Sequence, residues 1–221
     1  MPLGKPEIVT QRQLIDFFTD SHILDYRYLG NLKDSSNKNI REYDLREYLK
    51  LKGYSNKLID KAVEELVKTA GNLSNGLYDA NQAVYSLLKY GSKVRENPED
   101  KPTTVYFIDF ENPENNFFSI AEEVTVVENQ EKRPDVVVYV NGIALVVIEL
   151  KRSAVSVSNG IRQNLTNQKT QFIAPFFSTI QFCMAGNDIE GLRYGTIFTS
   201  EKYYLEWKPD GFQEHEDERD P

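Results

Sequence analysis

The spacing of apolar residues predicts helices in the first hundred residues of the chain. The clearest stripe covers 58–67, where leucine, isoleucine, alanine and valine recur at helical intervals. Ser55 stands just before this stripe and is suited to cap the helix. The same reasoning predicts a helix from Thr10, helices over 43–51 and 79–90 with Gly91 ending the latter, and a polar loop over 26–39.

After Pro102 the pattern changes to that of β-strands. Two β-branched runs, 135–140 and 143–150, are separated by Asn141-Gly142, which is the strongest short signal for a hairpin. Both runs are nearly continuous in apolar residues, which favours strands that are covered on both faces. The remaining predicted elements are strands over 104–110, 119–128, 180–184 and 193–198, and a helix over 157–173. The stretch 203–207 is expected to close the ordered part of the chain.

These elements predict one α/β domain over residues 1–209. Its helical part covers about 10–100 and its strand-rich core about 101–208, and no linker separates the two. Residues 210–221 contain six acidic residues and one arginine, which predicts a disordered acidic tail or linker.

Composition excludes several classes of protein. Among 221 residues there is one cysteine, so an internal disulfide framework and a cysteine-rich zinc site are both ruled out. No apolar run approaches the roughly 18–20 residues of a membrane span. The first residues lack the plan of a secretion signal, and we therefore expect a cytoplasmic protein without a membrane partner.

The charge distribution is uneven. The net charge of −8 argues against a nucleic-acid partner, but much of it comes from the acidic tail. No acidic residue occurs between Leu150 and Asn187, a segment with four basic residues: Lys151, Arg152, Arg162 and Lys169. This segment is either a local phosphate-facing surface or ordinary solvated surface.

Three charged residues at the ends of the predicted hairpin indicate chemistry. Asp135 follows a proline at the start of one strand, and Glu149 and Lys151 share a face at the end of the next. Burying such charges is costly unless they are paired or bind a metal. Two carboxylates, with the Leu150 carbonyl as a third oxygen, suit Mg²⁺, which activates water and polarises phosphates. The alternative is a surface Glu–Lys pair at a strand end.

The register of the hairpin sets a condition on this site. A regular two-residue turn at Asn141-Gly142 places Asp135 and Glu149 on opposite faces. We therefore predict an irregularity, either a three-residue loop with Gly142 left-handed or a bulge at Pro134-Asp135.

The stretch RPDVVVYVNGIALVVIELKRS resembles the nuclease domain of the R subunit of type I restriction enzymes, in the PD-(D/E)XK superfamily. Further similar stretches cover roughly residues 10–208: DFENPENNFF, GLYDANQAVYSLLKYG, IRQNLTNQ, AGNDIEGLRYGT and YYLEWK. The resemblance implies a restriction-endonuclease-like fold, with a mixed central sheet flanked by helices and a helical N-terminal part.

The resemblance also assigns roles to residues. It implies that Asp135 and Glu149 are metal ligands and that Lys151 is the catalytic lysine. Gln163 matches the glutamine of a Gln-x-x-x-Tyr motif that follows the lysine in this family, which implies a catalytic role in contact with the metal-bound water or with DNA; the alternative is ordinary solvated surface. Asn167 stands at the tyrosine position and puts the role of that tyrosine in doubt. Members often have Thr-Glu where this chain has Thr10-Gln11, so no further acidic ligand is assigned.

The function implied is that of a type I site-specific deoxyribonuclease. We expect Mg²⁺-dependent cleavage of double-stranded DNA in a complex with methyltransferase and specificity subunits. The chain has no G-x-x-x-x-G-K-[ST] phosphate loop, so an ATP-driven motor is expected only in a full-length subunit. The chain is then a fragment or a truncated homologue. The alternatives are a repair nuclease of the same fold and a catalytically silent module that binds DNA or docks subunits.

Overall fold

A computed structural model describes residues 6–208. Its α-helices are α1 (Glu7–Thr19), α2 (Glu42–Leu51), α3 (Asn56–Gly71), α4 (Leu77–Tyr90) and α5 (Val157–Asn167). Its strands are β1 (Arg27–Asn31), β2 (Ser92–Val94), β3 (Thr103–Val105), β4 (Phe118–Glu122), β5 (Val126–Val127), β6 (Glu131–Lys132), β7 (Val136–Val140), β8 (Ile143–Leu150), β9 (Phe182–Asn187), β10 (Gly191–Gly195) and β11 (Leu205–Glu206). Short 3₁₀ helices cover Pro113–Asn115, Ala174–Ser178 and Glu201–Tyr203.

A mixed sheet of seven strands forms the centre, in the order β1-β4-β7-β8-β9-β10-β11. The pairs β1–β4 and β8–β9 are parallel, and the other neighbours are antiparallel. Two small ribbons, β2–β3 and β5–β6, lie outside it.

The two faces of the sheet pack against different helices. One face carries Val137 and Val147 and forms a core with Ile161 of α5 and the segment 173–180. The other carries Val136 and packs with α1. A third core joins α2, α3 and α4 around the turn end of the central hairpin. A mixed sheet with helices on both faces is a restriction-endonuclease-like arrangement, as the family resemblance implied.

The hairpin turn is built on Asn141 and Gly142. Their φ angles are 51° and 82°, as a two-residue turn with both central residues left-handed requires. Asn141 is fully buried, accepts a hydrogen bond from the backbone N–H of Phe117 (2.7 Å) and donates to the carbonyl of Phe107 (2.8 Å). A Cβ at Gly142 would lie 2.7 Å from the Arg41 carbonyl, so α2 packs directly on the turn.

Several local predictions agree with the structure. Ser55 precedes α3 and its side chain accepts a hydrogen bond from the N–H of Leu58. Gly91 follows α4 with a φ of 74°, which is a conformation that glycine adopts without strain.

Other local predictions are wrong. The loop predicted over 26–39 contains β1, whose polar residues lie at the sheet edge and gain order from pairing with β4. The strand predicted over 104–110 ends at Val105, because the Phe107 carbonyl is bound by Asn141 and leaves the ladder. Tertiary pairing overrides local pattern in both cases.

Two helix boundaries also differ from prediction. Thr10 lies within α1, which begins at Glu7 after Pro6. The helix predicted over 157–173 ends at Asn167, whose carbonyl accepts from the N–H of Ile173 as the chain folds back. The predicted tail at 210–221 lies outside the described residues. None of the helices within 6–208 combines the length and the apolar content needed to cross a bilayer.

Candidate functional site

A bulge in β8 brings Asp135 and Glu149 to the same face of the sheet. Val140 pairs with Ile143 and Tyr139 with Ala144, but Val138 pairs with Val146, so Leu145 is an extra residue in the ladder. The register beyond the bulge pairs Val136 with Ile148. Asp135 and Glu149, the next residues outward, therefore stand opposite each other.

The position of this irregularity corrects the sequence prediction. The turn is a regular two-residue turn, and the register shift lies between Val138 and Tyr139, away from Pro134-Asp135. The tight turn is retained because Asn141 and Gly142 are locked against α2 and the Phe107 carbonyl. The extra residue that brings Asp135 and Glu149 to the same face lies within β8 instead.

Asp135 is held at the open end of the hairpin by a hydrogen bond from the neighbouring strand. It is 9% exposed, and its Oδ2 accepts a hydrogen bond from the N–H of Leu150 at 2.7 Å. The Nζ of Lys151 lies 3.7 Å from the same oxygen. Lys151 also donates to the Leu150 carbonyl at 2.6 Å. One ammonium group therefore contacts both Asp135 and the carbonyl that the sequence suggested as a metal ligand.

Glu149 is fully buried beneath α5. The Nε2 of Gln163 donates to its Oε2 at 2.6 Å, and the Nδ2 of Asn167 lies 3.4 Å from its Oε1. Gly160 allows this approach, because a Cβ there would lie 3.3 Å from the Glu149 carbonyl and 3.0 Å from the Cβ of Ala185.

The environment disfavours a second negative charge at the site. Burial raises the pKa of Glu149 well above its ordinary value, and the charge of Asp135 and the hydrogen bond between the two carboxyl groups raise it further. Lys151 opposes this shift. Burial, together with the charge of Glu149, also raises the pKa of the Cys183 thiol, which lies in the core on the same face. A positive charge beside Glu149 would therefore favour its ionised form.

Glu7 is an acidic residue beside the site that the sequence prediction did not assign. Burial raises its pKa, Lys151 and the backbone N–H of Arg152 lower it, and Asp135 and Glu123 raise it. It begins α1 one turn before Gln11, which is buried and donates to Glu122 at 2.9 Å. The helical spacing of Glu7, Gln11 and the apolar Ile15 was the available signal.

The acid-free segment, which is the stretch between Leu150 and Asn187, contributes less positive surface than its composition suggests. Arg162 forms two hydrogen bonds with Glu201, at 2.7 and 3.0 Å, so its charge is neutralised. Lys151 is only 13% exposed and belongs to the site. Arg152 and Lys169 are exposed. Within residues 6–208 no cluster of three or more His, Cys, Asp or Glu side chains is placed to hold a metal ion.

Comparison with known proteins identifies the family. Residues 6–202 match the family described as the type I restriction enzyme R protein N terminus. The chain is 36% identical over 99 residues to the type I restriction enzyme HindI endonuclease subunit of Haemophilus influenzae, covering 42% of this chain and 9% of that protein. It is 31% identical over 112 residues to the type I restriction enzyme SsaAORF53P endonuclease subunit of Staphylococcus saprophyticus, covering 48% and 12%.

A third relative matches a longer stretch. It is the provisionally named type I restriction enzyme MjaIXP endonuclease subunit of Methanocaldococcus jannaschii, 27% identical over 160 residues, which are 68% of this chain and 15% of that protein. The matched segments are thus a small part of each relative. Because the family match covers most of the chain and includes the whole hairpin, the chain belongs to the family of type I restriction enzyme R protein N-terminal regions.

Proposed function

We propose that this chain is a Mg²⁺-dependent endonuclease domain that hydrolyses DNA phosphodiester bonds as part of a type I restriction enzyme R subunit. The observation that carries the proposal is the convergence of Asp135, Glu149 and Lys151 at one end of β7 and β8, produced by the bulge at Leu145. Family membership supports a nuclease role.

The residues present fit a hard divalent cation. Two carboxyl groups in contact, one of them fully buried, form a site whose full ionisation needs a nearby positive charge. The ammonium of Lys151 already lies against Asp135 and the Leu150 carbonyl, two of the expected ligands. With only two carboxylates, Mg²⁺ would complete its shell with this carbonyl, water and phosphate oxygens, as it usually does.

Each residue has a distinct task in this proposal. Asp135 and Glu149 present oxygens whose orientation is fixed beforehand, by the Leu150 N–H and by the amide of Gln163. When bound, Mg²⁺ supplies Lewis-acid polarisation of the phosphate and eases ionisation of the attacking water. Lys151 can exchange the Leu150 carbonyl for a phosphate oxygen and stabilise the negative charge that grows there.

The setting of the domain follows from the same proposal. The substrate is double-stranded DNA, and the partners are the methyltransferase and specificity subunits of a restriction complex acting in the cytoplasm. ATP-driven movement belongs to another part of that complex, since the chain contains no phosphate-loop motif. Sequence recognition belongs to the specificity subunit, since the chain shows no recognition-helix or zinc-finger signal.

The decisive experiment measures plasmid cleavage by the assembled restriction enzyme. Wild type is expected to linearise supercoiled DNA only with Mg²⁺, and Asp135→Ala is expected to abolish cutting while DNA binding persists. Equal cutting by both would overturn the proposal. A wild-type complex that binds DNA and remains silent with Mg²⁺ would instead favour a module that binds or docks without catalysis.

A further inference from the structure

The buried face of α5 carries a row of side-chain amides that is unusual for a helix packed on a sheet. Asn164 and Asn167, together with Gln168 just after the helix, are each at most 2% exposed, and Gln163 is half-buried beside them. Buried amides are costly unless they form hydrogen bonds, so the partner of each one indicates what it does.

The partners divide these amides into two groups. Asn164 donates to the Met184 carbonyl at 2.8 Å, and Gln168 accepts from the Phe198 N–H at 2.7 Å. Gln168 also donates to the Sγ of Cys183, and neither of these two amides contacts Glu149; both tie α5 to its surroundings. Gln163 and Asn167, one helical turn apart, instead bind the carboxylate of Glu149.

The two contacts with Glu149 are complementary. Gln163 donates to Oε2 at 2.6 Å and Asn167 lies against Oε1 at 3.4 Å, so each carboxylate oxygen faces one amide. A carboxylate oxygen has two acceptor positions, so one remains on each oxygen for Asp135 or a cation. Two donors on different oxygens also prevent the carboxylate from rotating about its terminal bond.

We propose that Asn167 is a positioning residue of the cation site, which with Gln163 fixes the orientation of the Glu149 carboxylate. This inference rests on the proposed function, because it assumes that Glu149 binds a divalent cation. Asn167 stands where the resemblance leads one to expect a tyrosine, and its buried amide provides a donor to Glu149 from that position. Donors of this kind affect metal affinity as well as geometry.

The test measures Mn²⁺ binding to the chain without DNA. The electron paramagnetic resonance signal of the free ion monitors the binding. Asn167→Leu keeps a similar volume and removes the donor, and we expect the Kd for Mn²⁺ to rise about tenfold or more. The matched control is Asn164→Leu, on the same buried helix face, which loses a bond to backbone. It is expected to lower the Tm and leave the Kd unchanged.

Each outcome has a defined meaning. If Asn167→Leu binds Mn²⁺ as wild type does, or if Asn164→Leu weakens binding equally, Asn167 has only a structural role and the inference fails. Asn167→Ala replaces Asn167→Leu if the larger side chain prevents folding. Wild type that binds no Mn²⁺ overturns both the inference and the proposed metal site, whereas binding lost only in Asp135→Ala leaves the proposed function standing without this role for Asn167.

Discussion

The Nζ of Lys151 lies 3.7 Å from Oδ2 of Asp135, and the two residues flank the two strands at the open end of the central hairpin. The same ammonium donates to the Leu150 carbonyl, which belongs to the neighbouring residue. The charge of Lys151 is therefore held where the proposed reaction needs it, with only 13% of the side chain exposed.

Replacing Lys151 by methionine should preserve the fold and abolish most of the activity. The methionine keeps the apolar stem, but no positive charge remains to stabilise the transition state, and we expect cleavage to fall about 10²- to 10³-fold. The measurement is the single-turnover rate on supercoiled DNA in the assembled enzyme. Lys169→Met, which removes an exposed lysine from the same acid-free segment, serves as the control. A comparable loss in the control would mean that general DNA attraction explains the effect.

Gly160→Ala should disturb the site from a distance. The added Cβ would meet the Ala185 Cβ at 3.0 Å and the Glu149 carbonyl at 3.3 Å, so α5 must move away from β8. We expect a loss of about 1–3 kcal/mol in the free energy of unfolding and a lower cleavage rate, because Gln163 moves with the helix.

Gly71→Ala is the matched control for this helix substitution. A Cβ at Gly71 meets nothing within 4 Å, so the change should be neutral or stabilising by up to about 1 kcal/mol. Denaturant unfolding of the two variants measures the difference. If Gly160→Ala is as stable and as active as Gly71→Ala, the close approach of α5 is unimportant.

The raised pKa of Glu149 predicts the pH dependence of stability without metal. Folded Glu149 keeps its proton at pH values where the unfolded side chain has lost it, so the folded state binds more protons in that range. Stability should therefore fall as pH rises from about 4.5 through the folded pKa. Glu149→Gln should remove this component, and its Tm should exceed that of wild type at pH 8 by more than at pH 5.

Adding Mg²⁺ should oppose this loss in wild type and have little effect on Glu149→Gln. Thermal unfolding at pH 5 and pH 8, with and without the ion, gives all four comparisons. If the difference in Tm between wild type and Glu149→Gln is the same at pH 5 and pH 8, Glu149 titrates normally and the prediction is wrong.

Gln11→Glu should destabilise the protein, although it restores the Thr-Glu pair common in similar proteins. Gln11 is 2% exposed and its Nε2 donates to Glu122, so a glutamate there would place two carboxylates together in a buried setting. Glu122 also accepts from the Tyr28 hydroxyl, and burial together with this bond and the Glu122 charge raises the pKa of Tyr28 to about 12. We expect a loss of about 1–3 kcal/mol at pH 7 that lessens in acid.

Gln13→Glu, on the exposed face of the same helix, provides the comparison. It makes the same chemical change without the buried partner, and its effect should stay within about 0.5 kcal/mol. Urea unfolding at pH 7 and pH 5 tests both variants. Equal effects at the two positions would mean that α1 is not held against Glu122 as described.

The sequence singles out the residues of the candidate site but does not predict the geometry that brings them together. Asp135, Glu149 and Lys151 stand out because they end long apolar strands. The bulge at Leu145 left no trace in the sequence, because β8 is apolar without a break from Ile143 to Ile148 and lacks an alternation whose phase could break. A strand with one polar face would have revealed it.

Other features required long-range contacts that local patterns do not contain. β1 is polar and becomes a strand by pairing with β4, ninety residues away. Asn167 stands at the tyrosine position of the Gln-x-x-x-Tyr motif, and the sequence gives no role for its amide. Only the distance between this amide and Glu149 in the fold indicates one. Glu7 could have been found from its helical spacing with Gln11, once α1 was known to begin there.

Because of the extra residue at Leu145, the two ends of the central hairpin follow different parities. The strand pairing at the turn, which packs against α2, is therefore independent of the pairing at the open end, which decides which side chains face α5. A regular ladder that retained Leu145 would pair Asp135 with Ile148 and turn Glu149 toward the α1 side, whereas deleting Leu145 would remove the bulge and leave Asp135 opposite Glu149. The number of residues between the Asn141-Gly142 turn and Glu149 thus decides whether a bulge is needed to assemble the candidate site.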